Sequence, residues 1–345
     1  MPERKFFAVF LLAVVLLAGC AGTNNTQQSG AEEKPVLRVY TYDSMVSEYG
    51  LGPKIVPKFE EECNCRVDMV SAGDAGQVLA RLVLEKDNPK ADVMIGLDNS
   101  LKPKAIEAGV LEKFTPPNIE IVPQELIFDA EGYITPFDFG FIAFVYDKNK
   151  ISLAPKSFED LLDERFREKI VIQNPRTSSP GLALLLWTIA VYGEDGYLGY
   201  WEKLEPNILT VTAGWDESAG MFAAGETPMY LSYATSPPYY VQFEEKDNFV
   251  AAHFTEGHYM QIEGIAIVKG TQKRKLAEEF IEFSLTEEFQ EEIPLTQFMF
   301  PVNKSAELPA SFEFALKPDK KLVLDGKLVS EKQEEWIFEW EKIFS

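Results

Sequence analysis

The sequence predicts a mixed α/β protein in two lobes, and three features carry that prediction. The chain has 345 residues with 46% hydrophobic content, enough to bury a large core. Strand-like and helix-like stretches alternate from Pro35 to Ser100, as in a sheet covered by helices. Two long apolar segments, 134–147 and 259–268, are placed to carry the chain from one lobe to the other and back. A single continuous domain with long strands is the alternative.

The amino-terminal residues read as an address. Arg4 and Lys5 precede the apolar run 6–18, which is too short to span a bilayer. Residues 1–19 are therefore expected to be a signal peptide, ending in Leu17-Ala18-Gly19-Cys20. That ending has the form of a lipobox: small residues admit the peptidase, and the Cys20 thiol takes up the lipid. From Cys20 the stretch 20–34 is rich in Gly, Thr, Asn, Gln and Ser and is expected to be a flexible leash. The protein is then exported and anchored by lipid to the outer face of the cytoplasmic membrane.

The folded part begins near Pro35. Apolar continuity or alternation predicts strands over 36–42, 66–70 and 91–97, and helical periodicity predicts helices over 54–62 and 76–86. Ligands of open α/β sheets sit beyond the carboxyl ends of strands, so Tyr42-Asp43-Ser44, Ala72-Gly73-Asp74 and Asp98-Asn99 form the expected rim. The two crossings place 35–137 with 258–310 in lobe 1, and 138–257 with 311–345 in lobe 2, able to hinge. Segment 331–344 reads as a helix with Trp336 and Trp340 on one face.

Charge and motifs narrow the function. The net charge is −22, from 33 Lys and Arg against 55 Asp and Glu. Such a surface repels nucleic acid, and it either favours a cationic ligand or serves solubility. The sequence has no G-x-x-x-x-G-K-[ST], H-E-x-x-H, G-x-S-x-G or G-x-G-x-x-G motif, which lowers the odds of phosphate, zinc and hydrolase chemistry. His253 and His258 are not spaced as a helix-face ligand pair, so no metal site is expected. Cys63 and Cys65 fall at a predicted helix end, as a disulfide, free thiols or half of a metal site; a structural role is preferred, and no catalytic residue is assigned.

Two loops carry the candidate binding chemistry. In Asn174-Pro175-Arg176-Thr177-Ser178-Ser179-Pro180-Gly181, Ser179 fits an N-cap and Pro180 the first helical turn before an apolar helix. Free amides there suit an anion or a hydroxyl tail, or simply cap a helix. Trp215 follows Gly214 in an expected turn, and Tyr233, Tyr239 and Tyr240 flank Ser236-Pro237-Pro238. Such rings attract a flat cation by about 0.5–2 kcal/mol each, although aromatic residues more often pack in a core.

These residues carry a resemblance. Val39-Tyr40-Thr41-Tyr42-Asp43-Ser44, Lys90-Ala91-Asp92-Val93 with Gly96-Leu97-Asp98-Asn99, and the block 143–150 resemble the thiamine-binding solute-binding proteins of ABC importers. So do Pro175-Arg176-Thr177-Ser178, Pro180-Gly181, Leu231-Ser232-Tyr233 and Glu256-Gly257-His258-Tyr259, and the likeness runs from Pro35 to the C-terminus. It implies the type II periplasmic-binding-protein fold, with a ligand cleft between lobes joined by a two-strand hinge. Thiamine or its mono- or diphosphate would occupy the cleft, with no cofactor and no metal, and a monomer would deliver it to a permease driven by a separate ATPase subunit. Carried over by residue, Asp74 and Ala75 would meet the ligand from the first lobe, and Ser178 and Ser179 its hydroxyethyl or phosphate end. Trp215 would stack on it, while Tyr233, Ala234, Thr235, Ser236 and Tyr239 would line the second-lobe wall. Tyr42 belongs to the same set. Tyr49 and Phe298 stand where the family often has Trp, and Ser179 and Ala234 where it has Thr. A binding protein for ferric iron or another small solute is one rival. A thiamine-degrading enzyme with a cleft cysteine is the other.

Overall fold

The computed structural model describes residues 34–344, so the signal peptide, Cys20 and nearly all of the leash lie outside the described residues. Twelve strands form one sheet system: β1 (Val36–Thr41), β2 (Arg66–Ser71), β3 (Val93–Asp98), β4 (Leu111–Glu112), β5 (Thr135–Asp147) and β6 (Ile170–Gln173) come first. β7 (Ile208–Thr212), β8 (Met229–Tyr233), β9 (Phe249–Ala251), β10 (His258–Val268), β11 (Phe300–Pro301) and β12 (Lys321–Leu322) follow. The main order is β2-β1-β3-β10-β5-β8-β6-β7. Helices cover the strands, as the alternating sequence pattern predicts, giving the two-lobed type II architecture.

Each end of the sheet is a parallel set and the centre is antiparallel. β1 pairs in parallel with β2 and β3, and β6 pairs in parallel with β7 and β8. The two expected crossings appear as β5 and β10, which run antiparallel beside each other from Met260↔Phe141 to Ile265↔Thr135. The first half of β5 pairs with β10 and β11 and its second half with β8 and β9, so one strand serves both ends of the sheet. Every residue of β3 and β10 is buried. That explains their continuous apolar reading, which is typical of strands covered on both faces.

The helices pack through aromatic side chains. Phe59 of the helix Gly52–Cys63 meets Phe280 and Phe283 of the helix Arg274–Ser284 with centroids 5.0 and 5.4 Å apart. Cys63 and Cys65 form a disulfide just past the first of these helices, the structural role preferred from sequence. The helix Ser179–Leu204 is broken at Gly193 (φ 71°), a left-handed step that glycine takes without the Cβ penalty. The last helix, Gly326–Glu341, packs on both Lys102–Ala108 and Ser179–Leu204 with Trp336 and Trp340 buried. Its Glu334 accepts from Lys104 and Arg176, and Arg176 also holds Glu341. It therefore touches helices that follow β3 and β6 alike.

His258 is a core brace. Its Nε2 accepts from the Phe254 amide at 3.0 Å, so the proton sits on Nδ1 and is donated to the Ile142 carbonyl at 2.8 Å. Burial pushes its pKa down to about 4, keeping the ring neutral. The Trp187 ring lies tilted against it, centroids 5.1 Å apart, and packs on Phe158 and Phe254, while the indole N–H donates to the Gly257 carbonyl at 3.1 Å. Trp187→Ala removes a fully buried ring that no neighbour can replace, so urea denaturation is expected to show a loss of about 3–5 kcal/mol. A loss under about 1 kcal/mol would contradict this packing.

Candidate functional site

A cavity of about 470 Å³ lies where the parallel strands end. Tyr42 follows β1, Gly73 and Asp74 follow β2, Gly214 and Trp215 follow β7, and Tyr233 closes β8. Ser179 and Pro180 open the helix that follows β6. Both parallel sets thus aim their carboxyl ends at one space, as the general rule for such sheets requires.

Asp74 joins the two sides of that space. It is the N-cap of the helix Ala75–Leu84, accepting from the Ala75 amide at 2.6 Å, with Gln77 returning a bond to the Asp74 amide in a capping box. Its other oxygen accepts from the Trp215 amide at 3.0 Å, at the start of a second helix, Trp215–Ala223. Burial raises the Asp74 pKa, but the Ser178 hydroxyl and the Trp215, Ala75 and Ser179 amides all favour the ionised form. Two glycines permit the approach. A Cβ on Gly76 would lie 2.7 Å from the Thr177 carbonyl, and one on Gly214 would lie 3.3 Å from Asp74.

The walls are aromatic. Trp215 donates its indole N–H to Ser232 Oγ at 2.9 Å, and Ser232 in turn bonds Ser236 Oγ at 2.8 Å, so the ring's orientation is fixed. At the mouth, Tyr239 meets Phe298 edge-on with centroids 4.9 Å apart and also packs on Phe243. Phe298 holds φ 53°, a left-handed conformation that costs a bulky residue about 1–3 kcal/mol and is retained where the surroundings impose it. Tyr49 lines the rim with 71% of its surface exposed.

The electrostatics are one-sided. Among the described residues, the lining includes six carboxylates, Asp43, Asp74, Asp216, Glu217, Glu244 and Glu263, and no Lys, Arg or His. Glu263 is pushed up to about 8, chiefly by burial and then by Asp98 and Asp74, against the bond it accepts from the Tyr42 hydroxyl at 2.8 Å. Asp216, at the rim, is raised to about 6 by burial and by Asp43 and Asp74. Such a field attracts a cation and repels an anion. It outweighs the helix start at Ser179 as a predictor of ligand charge.

Several residues sit otherwise than the sequence reading expected. Ser178, not Ser179, is the N-cap, and it makes no capping bond through its side chain. Trp215 opens a helix rather than lying in a turn, and Pro237 starts the helix Pro237–Glu244, which carries Tyr239 and Tyr240. The physical reason is the same for both: Gly before a helix and Pro in its first turn are start signals as well as turn signals. Of the expected rim, Asp98 and Asn99 face inward. Asp98 accepts from the Ser100 and Leu101 amides, and Asn99 ties Met260 and Ile262 of β10. Tyr42, Tyr49, Asp74, Ser179, Trp215, Tyr233, Ser236, Tyr239 and Phe298 line the cavity. Ala75, Ser178, Ala234 and Thr235 do not; each is at most 1% exposed. Ala75 and Ala234 pack in hydrophobic clusters, and Thr235 Oγ1 points at Met299 Sδ, 4.0 Å away. Sequence reasoning missed Glu263 and Gln297, whose side-chain amide donates to the Tyr42 hydroxyl. A lone acid inside the apolar run of β10 was the available signal for the former.

Comparison with known proteins agrees with this architecture. The sequence profile of the bacterial extracellular solute-binding proteins matches residues 88–323. A thiamine-binding periplasmic protein of Salmonella typhimurium is 42% identical over 313 residues, covering 90% of this chain and 94% of that protein. Its counterpart in Escherichia coli is 42% identical over 316 residues, with the same coverage. A solved periplasmic thiamin binding protein superposes with a TM-score of 0.86 at 41% identity, covering 92% of this chain and 98% of that one. The relatives are named periplasmic, placing this chain among exported proteins, and its family works with small-molecule ligands and ABC transporters. The chain belongs to the bacterial extracellular solute-binding proteins, within the group of thiamine-binding periplasmic proteins.

Proposed function

We propose that this protein captures free thiamine in the cavity and delivers it to the permease of an ABC importer, without chemistry of its own. The observation that carries the reading is the lining itself: aromatic faces and six carboxylates with no basic side chain, suited to a flat cation. The relatives' names support thiamine as that cation. In this reading Trp215, Tyr233 and Tyr239 face the rings of thiamine, Asp74 and Glu263 balance the thiazolium charge, and Ser179 meets the hydroxyethyl tail. β5 and β10, the strands shared by both ends of the sheet, form the hinge, with the lobes divided as the sequence reading places them. The protein acts as a monomer held to the membrane by lipid on Cys20.

The rivals are disfavoured by particular contacts. A degrading enzyme needs a thiolate in the cleft, whereas Cys63 and Cys65 are joined to each other and neither lines the cavity. Ferric iron needs clustered hard ligands, and the Tyr240 hydroxyl is instead bonded to that of Tyr230 at 2.9 Å.

Calorimetric titration of the purified full chain with thiamine is expected to give a Kd of micromolar or tighter, about −8 kcal/mol or better. Thiamine diphosphate, whose anionic tail enters a lining with six acids and no basic side chain among the described residues, is expected to bind about tenfold more weakly or worse. Tighter binding of the diphosphate would overturn the assignment to the free vitamin. Trp215→Ala is expected to weaken thiamine by roughly 5–30-fold, the loss of one cation-facing ring at about 1–2 kcal/mol. Full affinity in that variant would remove Trp215 from the site. Replacing Cys63 and Cys65 together by Ser opens a loop too short to add more than about 1–2 kcal/mol, so thiamine affinity should be unchanged. Thiamine consumed by the native protein but not by this double variant would revive the enzyme.

A further inference from the structure

Three carboxylates lie in a row across the central strands of the sheet. In the register of β10, Glu263 stands opposite Asp98 of β3 on one side and opposite Asp138 of β5 on the other. The strand pairing is irregular just beyond, at Gly264 on both sides. All three acids are at most 5% exposed, and of the three only Glu263 opens on the cavity.

Their partners are unequal. Asp98 accepts from the Ser100 and Leu101 amides and from the Gln261 side-chain amide. Glu263 accepts from the Tyr42 hydroxyl. Asp138 has no hydrogen-bond partner on either oxygen and no exposed surface. An ionised carboxylate without a partner in a dry site is costly, and a second one directly across the strand adds repulsion.

We propose that the empty protein holds a proton on the Glu263–Asp138 pair and that a bound cation displaces it to solvent. This rests on the reading that the cavity takes thiamine. The exchange balances: a cation enters, one O–H of the pair breaks, its electron pair stays on the carboxylate, and the proton goes to the buffer. The row then carries the charge that neutralises the ligand.

The surroundings supply no competing cation. The groups facing the pair are Tyr42 from the end of β1, Asp74 from the start of the helix Ala75–Leu84, Asp98 from β3, Tyr233 from β8 and the neutral Gln297. Burial holds Tyr42 and Tyr233 protonated, and Asp98 titrates near about 7, so released protons belong to the row as a whole. The sign follows from the raised values. Burial and the facing acids hold Glu263 above the ordinary carboxylate range in the empty protein and a neighbouring cation lowers it, so affinity rises with pH until the empty row has lost its proton and levels off above that.

Thiamine is titrated into the full chain at about pH 7 in phosphate and in Tris, whose ionisation enthalpies differ, and then from about pH 6 to 8 in one buffer. The expected results are close to one proton released per thiamine and a Kd that tightens up to tenfold per pH unit. Asp138→Asn removes one acid of the pair and sets an amide donor across from Glu263 that favours its ionised form, so proton release and that slope are expected to fall even where binding weakens. Binding with no proton release and a flat Kd overturns the inference while leaving the thiamine reading intact. So does a wild-type slope in Asp138→Asn. No binding at any pH overturns the thiamine reading, and the inference with it.

Discussion

The Asp74 carboxylate, shared between the starts of two helices, is the constraint on which the cavity depends. One oxygen caps the helix that follows β2 and the other accepts from the amide that opens the helix after β7. Each helix start carries a partial positive charge, and the carboxylate answers both at once. Because Gly214 lacks a side chain, the start of the second helix comes within reach of Asp74, and Gly76 in the first helix lies against the Thr177 carbonyl in the same way. Trp215 is therefore placed by Asp74 at its amide and by Ser232 at its indole. The ring that forms a wall of the cavity is thus fixed by a residue from the far end of the sheet.

The sheet order makes that convergence unavoidable. Two parallel sets end at the same space, and β5 and β10 between them belong to both. The cost of the arrangement is electrostatic. Acids that approach the strand ends lose water without gaining basic partners, which is why Glu263 and Asp98 sit well above the ordinary carboxylate range. In the proposed reading a positive ligand completes that site, and transport needs only a cavity that binds and strands that hinge.

Much of this was legible in the sequence because strand ends and helix starts leave local marks. β1, β2 and β3 were found within two residues at each end, and the rim residues Tyr42 and Asp74 came directly from where the strands stop. Trp215, Tyr233 and Tyr239, which the resemblance implies as ligand contacts, lie on the lining. Ala234 and Thr235 lie off the lining because they follow the last residue of β8, where Tyr233 and Ser236 face the cavity and the two between them turn into the core. The Glu263–Asp138–Asp98 row was invisible for a different reason. Each acid appears alone in an apolar strand, and only the pairing of segments more than a hundred residues apart brings them together. Likewise, Gly214 and Pro237 mark helix starts and turns equally well until packing decides.

The proposed selection in this cavity is for positive charge. The most direct test compares thiamine with a neutral analogue of the same shape, in which an uncharged thiophene replaces the thiazolium, by calorimetric titration of the same preparation. The neutral compound is expected to bind about a hundredfold more weakly, a difference near 3 kcal/mol. Equal affinity for the two would contradict it, leaving shape alone to explain binding.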